Sequence, residues 1–176
     1  MKGHVTMGFF SRLMGGSDKQ TTVASEFEIL APVSGELVNL EKTNDPAFSS
    51  RAVGDGVAVV PQEGTVCAPV SGTVAALFPT EHALGIMSDD SSAQVMLHIG
   101  IDTVKLEGKG FHALVAQGDR VDAGQPLVEV DFDAVRAAGF DPTVFVIVCE
   151  RSENSTLREH ASGPVAVKEP VVWLSE

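Results

Sequence analysis

The sequence predicts an all-β protein, an antiparallel sandwich or barrel with one or two short helices. Three observations carry this. From Phe27 onward, short apolar and β-branched runs alternate with Gly and Pro at close intervals. The string ILAPVSGELVNL at 29–40 returns as VCAPVSGTVAAL at 66–77, 37 positions later. Only one segment carries a full helix signal.

Residues 1–25 stand apart as an N-terminal tail ahead of one domain at 26–176. MGFFSRLM spaces Phe9, Phe10, Leu13 and Met14 close to a helical period. GGSDKQTT then reads as a flexible linker. Eight residues make a marginal helix, and the tail carries little basic charge, so it reads either as a membrane-touching segment or as an unstructured leader. Expected strands follow at 28–30, 36–39, 56–60, 65–68, 72–78, 83–87, 95–101, 126–130, 143–149 and 170–174. The helix is expected at 132–138, with Asp131 or Asp133 as its N-cap and Gly139 at its end. A second helical turn is expected near 111–116. The APVSG strings read as turn punctuation. A weaker echo joins RVDAGQPLVEV at 120–130 to PVAVKEPVVWL at 164–174. Two repeats suit a pseudo-symmetric β fold and are too few for a solenoid.

The chain has 176 residues, enough for one well-cored domain, and 44% of them are hydrophobic, which excludes a disordered chain. Acidic residues outnumber basic ones 24 to 12, for a net charge of −12. Such a surface repels nucleic acid and favours partners with a basic face. Cys67 and Cys149 form no metal-type or disulfide framework. No apolar stretch nears the roughly 20 residues of a membrane span, and no secretory signal is recognisable. A cytoplasmic protein with reduced thiols is the expectation.

His98 sits inside QVMLHIGID, a run otherwise built for a sheet. Alternation puts Val95, Leu97, Ile99 and Ile101 on the core face, and Met96, His98, Gly100 and Asp102 on the other. That pattern leaves two readings open, a packed histidine or a reactive one. His82 adds weight to the second. If strand 83–87 pairs antiparallel with 95–101 through SDDSSAQ, the two rings lie at comparable heights, with the Thr80 hydroxyl two residues from His82. His4, His112 and His160 lie in segments without companion chemistry. A neutral imidazole is a nucleophile that accepts a phosphoryl group. A second imidazole N–H can donate to the phosphoryl oxygens. No phosphate-binding glycine loop occurs, so phosphate would arrive already activated.

VMLHIGIDTVKLEGKGF at 95–111 resembles the active-site segment of glucose-type enzyme IIA of the bacterial phosphoenolpyruvate:sugar phosphotransferase system. VGDGVAV at 53–59, APVSG at 68–72, TEHA at 80–83 and GQPLVEVD at 124–131 follow in the expected order. The resemblance covers about 26–176. It implies a β-sandwich of the duplicated hybrid motif type and a phosphotransferase activity without a required cofactor. His98 would take the phosphoryl group from phospho-HPr and pass it to a cysteine of a sugar-specific IIB domain of a IIB/IIC permease. His82 would donate to the phosphoryl group, with Thr80 bonded to it. Phe48, Phe78, Leu84, Met96, Ile99 and Val104 would form an apolar docking rim, and Asp102 would face basic partner residues. Lys105 and Glu81 depart from the family pattern, which bears on partner identity. The resemblance also extends to regulatory targets bound by the unphosphorylated form, and to a membrane-touching N-terminal segment.

Two other readings compete. A zinc hydrolase of LytM-like β architecture needs about three protein ligands. Only His82 and His98 form a credible pair, since Asp102 would lie about 13 Å along the strand from His98. Zinc at that pair would be incidental, completed by a partner's ligand. A biotinyl or lipoyl carrier fits GDRVDAGQPLVEV, but the chain lacks the Met-Lys-Met or Asp-Lys-Ala target.

Overall fold

The computed structural model describes residues 26–176, so the expectations for the tail at 1–25, its membrane contact included, lie outside the described residues. Among the described residues there are fourteen strands: β1 Phe27–Leu30, β2 Gly35–Asn39, β3 Asp55–Pro61, β4 Thr65–Cys67, β5 Gly72–Leu77, β6 Ala83–Ser88 and β7 Ala93–Ile99, then β8 Phe111–Ala113, β9 Arg120–Val121, β10 Pro126–Val130, β11 Val144–Arg151, β12 Thr156–Glu159, β13 Gly163–Val165 and β14 Pro170–Ser175. Two short helices, α1 Pro46–Ser49 and α2 Phe132–Ala137, complete the set with two 3₁₀ turns, Leu40–Lys42 and Thr103–Leu106. An eight-stranded sheet runs β13-β2-β3-β11-β7-β6-β5-β9, and two three-stranded sheets run β1-β14-β12 and β4-β10-β8. Its ladders are antiparallel, as the sequence predicts.

The internal repeat is a structural exchange. Leu30 N–H donates to the Pro69 carbonyl, and Cys67 N–H to the Pro32 carbonyl, each at 2.8 Å. Ala31 N–H donates to Glu169 and Ala68 N–H to Gln125, the matching positions of the weaker echo. The serines of the two APVSG strings do equivalent work. Ser34 Oγ accepts from Val167 N–H and Ser71 Oγ from Ala123 N–H. These strings therefore supply backbone partners at a pseudo-twofold seam, where unpaired buried amides would be costly.

The large sheet is apolar on both faces. One face joins the main core with Leu97, Ile99, Val95, Leu84, Val146 and Val57. The other carries a smaller cluster of Leu40, Phe48, Ala58, Phe145 and Ile147. Slipping β7 by one residue would expose Leu97 and Ile99 and turn His98 inward. Each exposed side chain costs on the order of 1.5–3 kcal/mol, so the register is firmly set.

Several expectations need correction. The turn near 111–116 is not helical: Phe111–Ala113 is strand β8, paired with β10 through Val128↔Ala113 and Val130↔Phe111. Strand 95–101 ends at Ile99, because Gly100 takes φ +79. A Cβ at Gly100 would stand 2.3 Å from Thr103 Cγ2 and 2.9 Å from the Asp141 carbonyl oxygen, so the bend requires glycine. Ile101 consequently leaves the main core and packs on the smaller cluster. Asp131, rather than Asp133, caps α2, its carboxylate accepting from Ala134 N–H at 2.9 Å.

Candidate active site

Three neighbouring strands and one loop build the site. Antiparallel register sets Ala83 opposite His98 on β6 and β7, and Phe145 opposite His98 on β7 and β11. Ile99 N–H donates to the His82 carbonyl at 2.7 Å, which pins His82 one residue before the start of β6. The result brings the two rings together, with centroids 5.0 Å apart and planes at 87°.

Each ring has one nitrogen committed. His98 Nδ1 lies 2.8 Å from the Gly100 carbonyl oxygen. A carbonyl only accepts, so Nδ1 carries the hydrogen, and the lone pair of the neutral ring resides on Nε2. His82 Nδ1 lies 2.6 Å from Thr80 Oγ1. With the hydroxyl donating, His82 presents Nε2–H. Ser92 Oγ is the one buried side-chain polar atom without a partner among the described residues. Neither Nε2 has a partner there, so both reach the surface.

Burial pushes the pKa of His82 down to about 4, with His98 adding a smaller effect in the same direction. Burial also lowers that of His98, against the opposing pull of the Gly100 carbonyl and the charges of Asp45 and Asp102. Both rings are therefore neutral at pH 7. The unfolded His82 takes up a proton near its ordinary 6.5, and the folded one only near 4. Its depressed folded value means that stability is lost as pH falls through this window, by up to about 3 kcal/mol. Urea midpoints at pH 7, 5 and 4 should show this loss, and His82→Gln should flatten it. Parallel curves for the two proteins would show that His82 is not the titrating group.

The remaining expected residues divide. Phe78 and Val104 are about half exposed, and Phe78 lies edge-on to His82 at 5.6 Å. Phe48 is buried and forms the floor instead, 5.2 Å from the His98 ring and stacked on Phe145 at 4.2 Å. Met96 packs half-buried on the same floor. Leu84 and Ile99 are not on the rim. Both are fully buried in the main core, because they lie beside Leu97 on the face opposite His98. The docking role assigned to these two by resemblance falls away. Asp102 is exposed, beyond the end of β7 and not in line along it, and is paired with Lys105 at 2.9 Å.

Sequence reasoning missed Asp45. Its carboxylate caps α1, accepting from Ala47 N–H at 2.8 Å, and its charge acts on His98. The string NDPAF carries the signal, an Asp followed by Pro at the first helical position. Among the described residues no three His, Cys, Asp or Glu side chains gather as a metal site. His112 is exposed on β8, and His160 stacks on Trp173, both apart from this site. Cys67 and Cys149 are free thiols. No helix among the described residues is long and apolar enough to cross a membrane.

Comparisons with known proteins agree with this architecture. The family model for the phosphoenolpyruvate-dependent sugar phosphotransferase system, EIIA 1, matches residues 27–154. The chain is 42% identical over 144 residues to the PTS system glucose-specific EIICBA component of Streptococcus pneumoniae, covering 82% of the chain and 20% of that protein. It is 39% identical over 170 residues to the PTS system beta-glucoside-specific EIIBCA component of Bacillus subtilis, covering 96% and 28%. The chain thus spans between a fifth and somewhat over a quarter of the length of these relatives. The solved glucose permease IIA from Mycoplasma capricolum superposes with a TM-score of 0.78 at 34% identity, over 85% of this chain and 96% of that one. That match fits the antiparallel β architecture described above, and the chain belongs to the EIIA 1 family of the phosphoenolpyruvate-dependent sugar phosphotransferase system.

Proposed function

We propose that the chain is the phosphocarrier of a sugar-uptake relay, taking a phosphoryl group from phospho-HPr on His98 Nε2 and giving it to a cysteine of a IIB domain. The observation that carries this is the committed Nδ1–H of His98, bonded to the Gly100 carbonyl at 2.8 Å beside a second neutral imidazole. Acceptance breaks the P–N bond of the donor histidine and forms a P–N bond at His98 Nε2. The ring then holds Nδ1–H and Nε2–P together and gains positive charge. The Gly100 carbonyl, Asp45 and Asp102 all favour that charge, as they favour a protonated His98. His82 Nε2–H, oriented by Thr80, donates to a phosphoryl oxygen. Donation forms a P–S bond on the acceptor thiolate and returns the neutral ring. The apolar rim of Phe78 and Val104 is where HPr and IIB seat, keeping water from the phosphohistidine.

On this reading the domain is residues 26–176, working in the cytoplasm beside the membrane component that it serves. The N-terminal segment supplies a weak membrane contact. Any regulatory target meets the same rim. The relay needs no cofactor. Zinc at His82 and His98 is incidental, since two imidazoles are half of a tetrahedral set and a partner must supply more. The test is reconstitution with labelled phosphoenolpyruvate, enzyme I and HPr. The chain should take up one acid-labile, base-stable phosphate and lose it when IIB is added. No uptake, or an acid-stable label, refutes the reading.

A further inference from the structure

Glu81 stands between Thr80 and His82, and the mechanism above gives it no task. Its backbone takes φ +58, a left-handed conformation that suits Gly or Asn better than a long acidic residue. It ends a turn with Pro79 in second position, closed by Glu81 N–H donating to the Phe78 carbonyl at 2.8 Å. Phe78 N–H donates in turn to the Ala83 carbonyl at 3.0 Å, so loop 78–82 is closed at its base. From this left-handed step the side chain reaches another sheet. Glu81 Oε2 accepts from Ala113 N–H at 2.8 Å, on β8 and 32 positions along the chain. On a different side, a Cβ at Gly108 would lie 3.8 Å from the Thr80 carbonyl oxygen. The loop that carries both Thr80 and His82 is thus tied by one side chain to the three-stranded sheet.

We propose that Glu81 is a positioning residue whose bond to Ala113 N–H fixes loop 78–82 on β8 and holds Thr80 Oγ1 against His82 Nδ1. Gly or Asn relieves the backbone at this position, but neither spans the distance to Ala113. The glutamate makes the tether at the expense of local backbone ease. The kinetic consequence rests on the phosphocarrier reading; the geometric one does not.

Three variants separate the possibilities. Glu81→Gln keeps an acceptor oxygen, Glu81→Ala removes it, and Glu81→Gly removes it while suiting the left-handed backbone. Nitrogen-15 spectra of the unphosphorylated chain read the hydrogen bond at His82 Nδ1. Transfer from the phosphorylated chain to IIB reads its use. Gln should match the parent in both. Ala and Gly should both shift the Nδ1 resonance and slow transfer by about ten-fold or more, since small misplacements near reacting groups are costly. If Ala fails to fold, Gly decides. A Gly variant with parental resonance or parental transfer overturns the inference, and so does a Gln variant that fails to restore them. A parent chain that takes up no label refutes the phosphocarrier reading instead, while the resonances still test the tether.

Discussion

Replacing His98 with glutamine should abolish phosphoryl uptake, by at least about four orders of magnitude in rate. Glutamine is close to histidine in reach and can still donate an N–H toward the Gly100 carbonyl. It has no nitrogen lone pair available for attack, because its amide nitrogen is delocalised into the carbonyl. The fold should survive. His98 is only half-buried, on the face opposite the main core, and its loss leaves Leu97 and Ile99 in place. The melting temperature should stay within a few degrees of the parent. His82 is poorly placed to substitute as acceptor, being 4% exposed and committed to Thr80 through Nδ1. A well-folded His98→Gln protein that still takes up acid-labile phosphate would move the nucleophile elsewhere and undo the proposed relay.

The sequence made the sheet legible because alternation is a direct consequence of strand geometry. Residues 95–99 show how far that reaches. Alternation sends Val95, Leu97 and Ile99 to the core and His98 away from it, and the structure places them so. Resemblance, carried over position by position, put Ile99 and Leu84 on a docking rim, where the physical pattern had no room for Ile99. Both are fully buried. The local pattern was the better guide to where a side chain points. The pattern fails where one residue changes the backbone direction. Gly100 ends β7, so Ile101 and Asp102 do not continue the alternation, and a distance based on strand rise no longer applies. Strand β12, TLRE, carries one apolar residue, and β9 is two residues long, so neither has a period to read. Helix α1 is four residues long and shows itself only through the Asp45–Pro46 cap. The resemblance placed Phe48 on the docking rim, whereas that helix lays it beneath His98. The tether from Glu81 to Ala113 joins two sheets, and no local rule reports such a bond.

Replacing His82 with glutamine should separate acceptance from donation. The proposed nucleophile is untouched, since His98 keeps Nδ1–H on the Gly100 carbonyl and its lone pair on Nε2. With phospho-HPr in excess, labelling should still run to one phosphate per chain. Transfer to IIB is different, because its rate depends on stabilising charge spread over the phosphoryl oxygens as the P–N bond breaks. A positioned donor of this kind is worth about 10²–10³ in rate. Glutamine keeps an N–H but loses the rigid ring that Thr80 orients through Nδ1 at 2.6 Å, so its donor is not held in place. Transfer to IIB should therefore fall by about two orders of magnitude while the labelled end-point stays the same. The initial rate of labelling should also fall, since the same oxygens pass through the same site in both directions, and single-turnover traces will show it. The neutral state of His82 at pH 7 matters here. A permanently charged ring would hold the phosphoryl group in the ground state as well as in the transition state, and would slow its departure. A His82→Gln protein that delivers phosphate to IIB at the parental rate would leave His82 as a packing residue beside the nucleophile, with no part in moving the group.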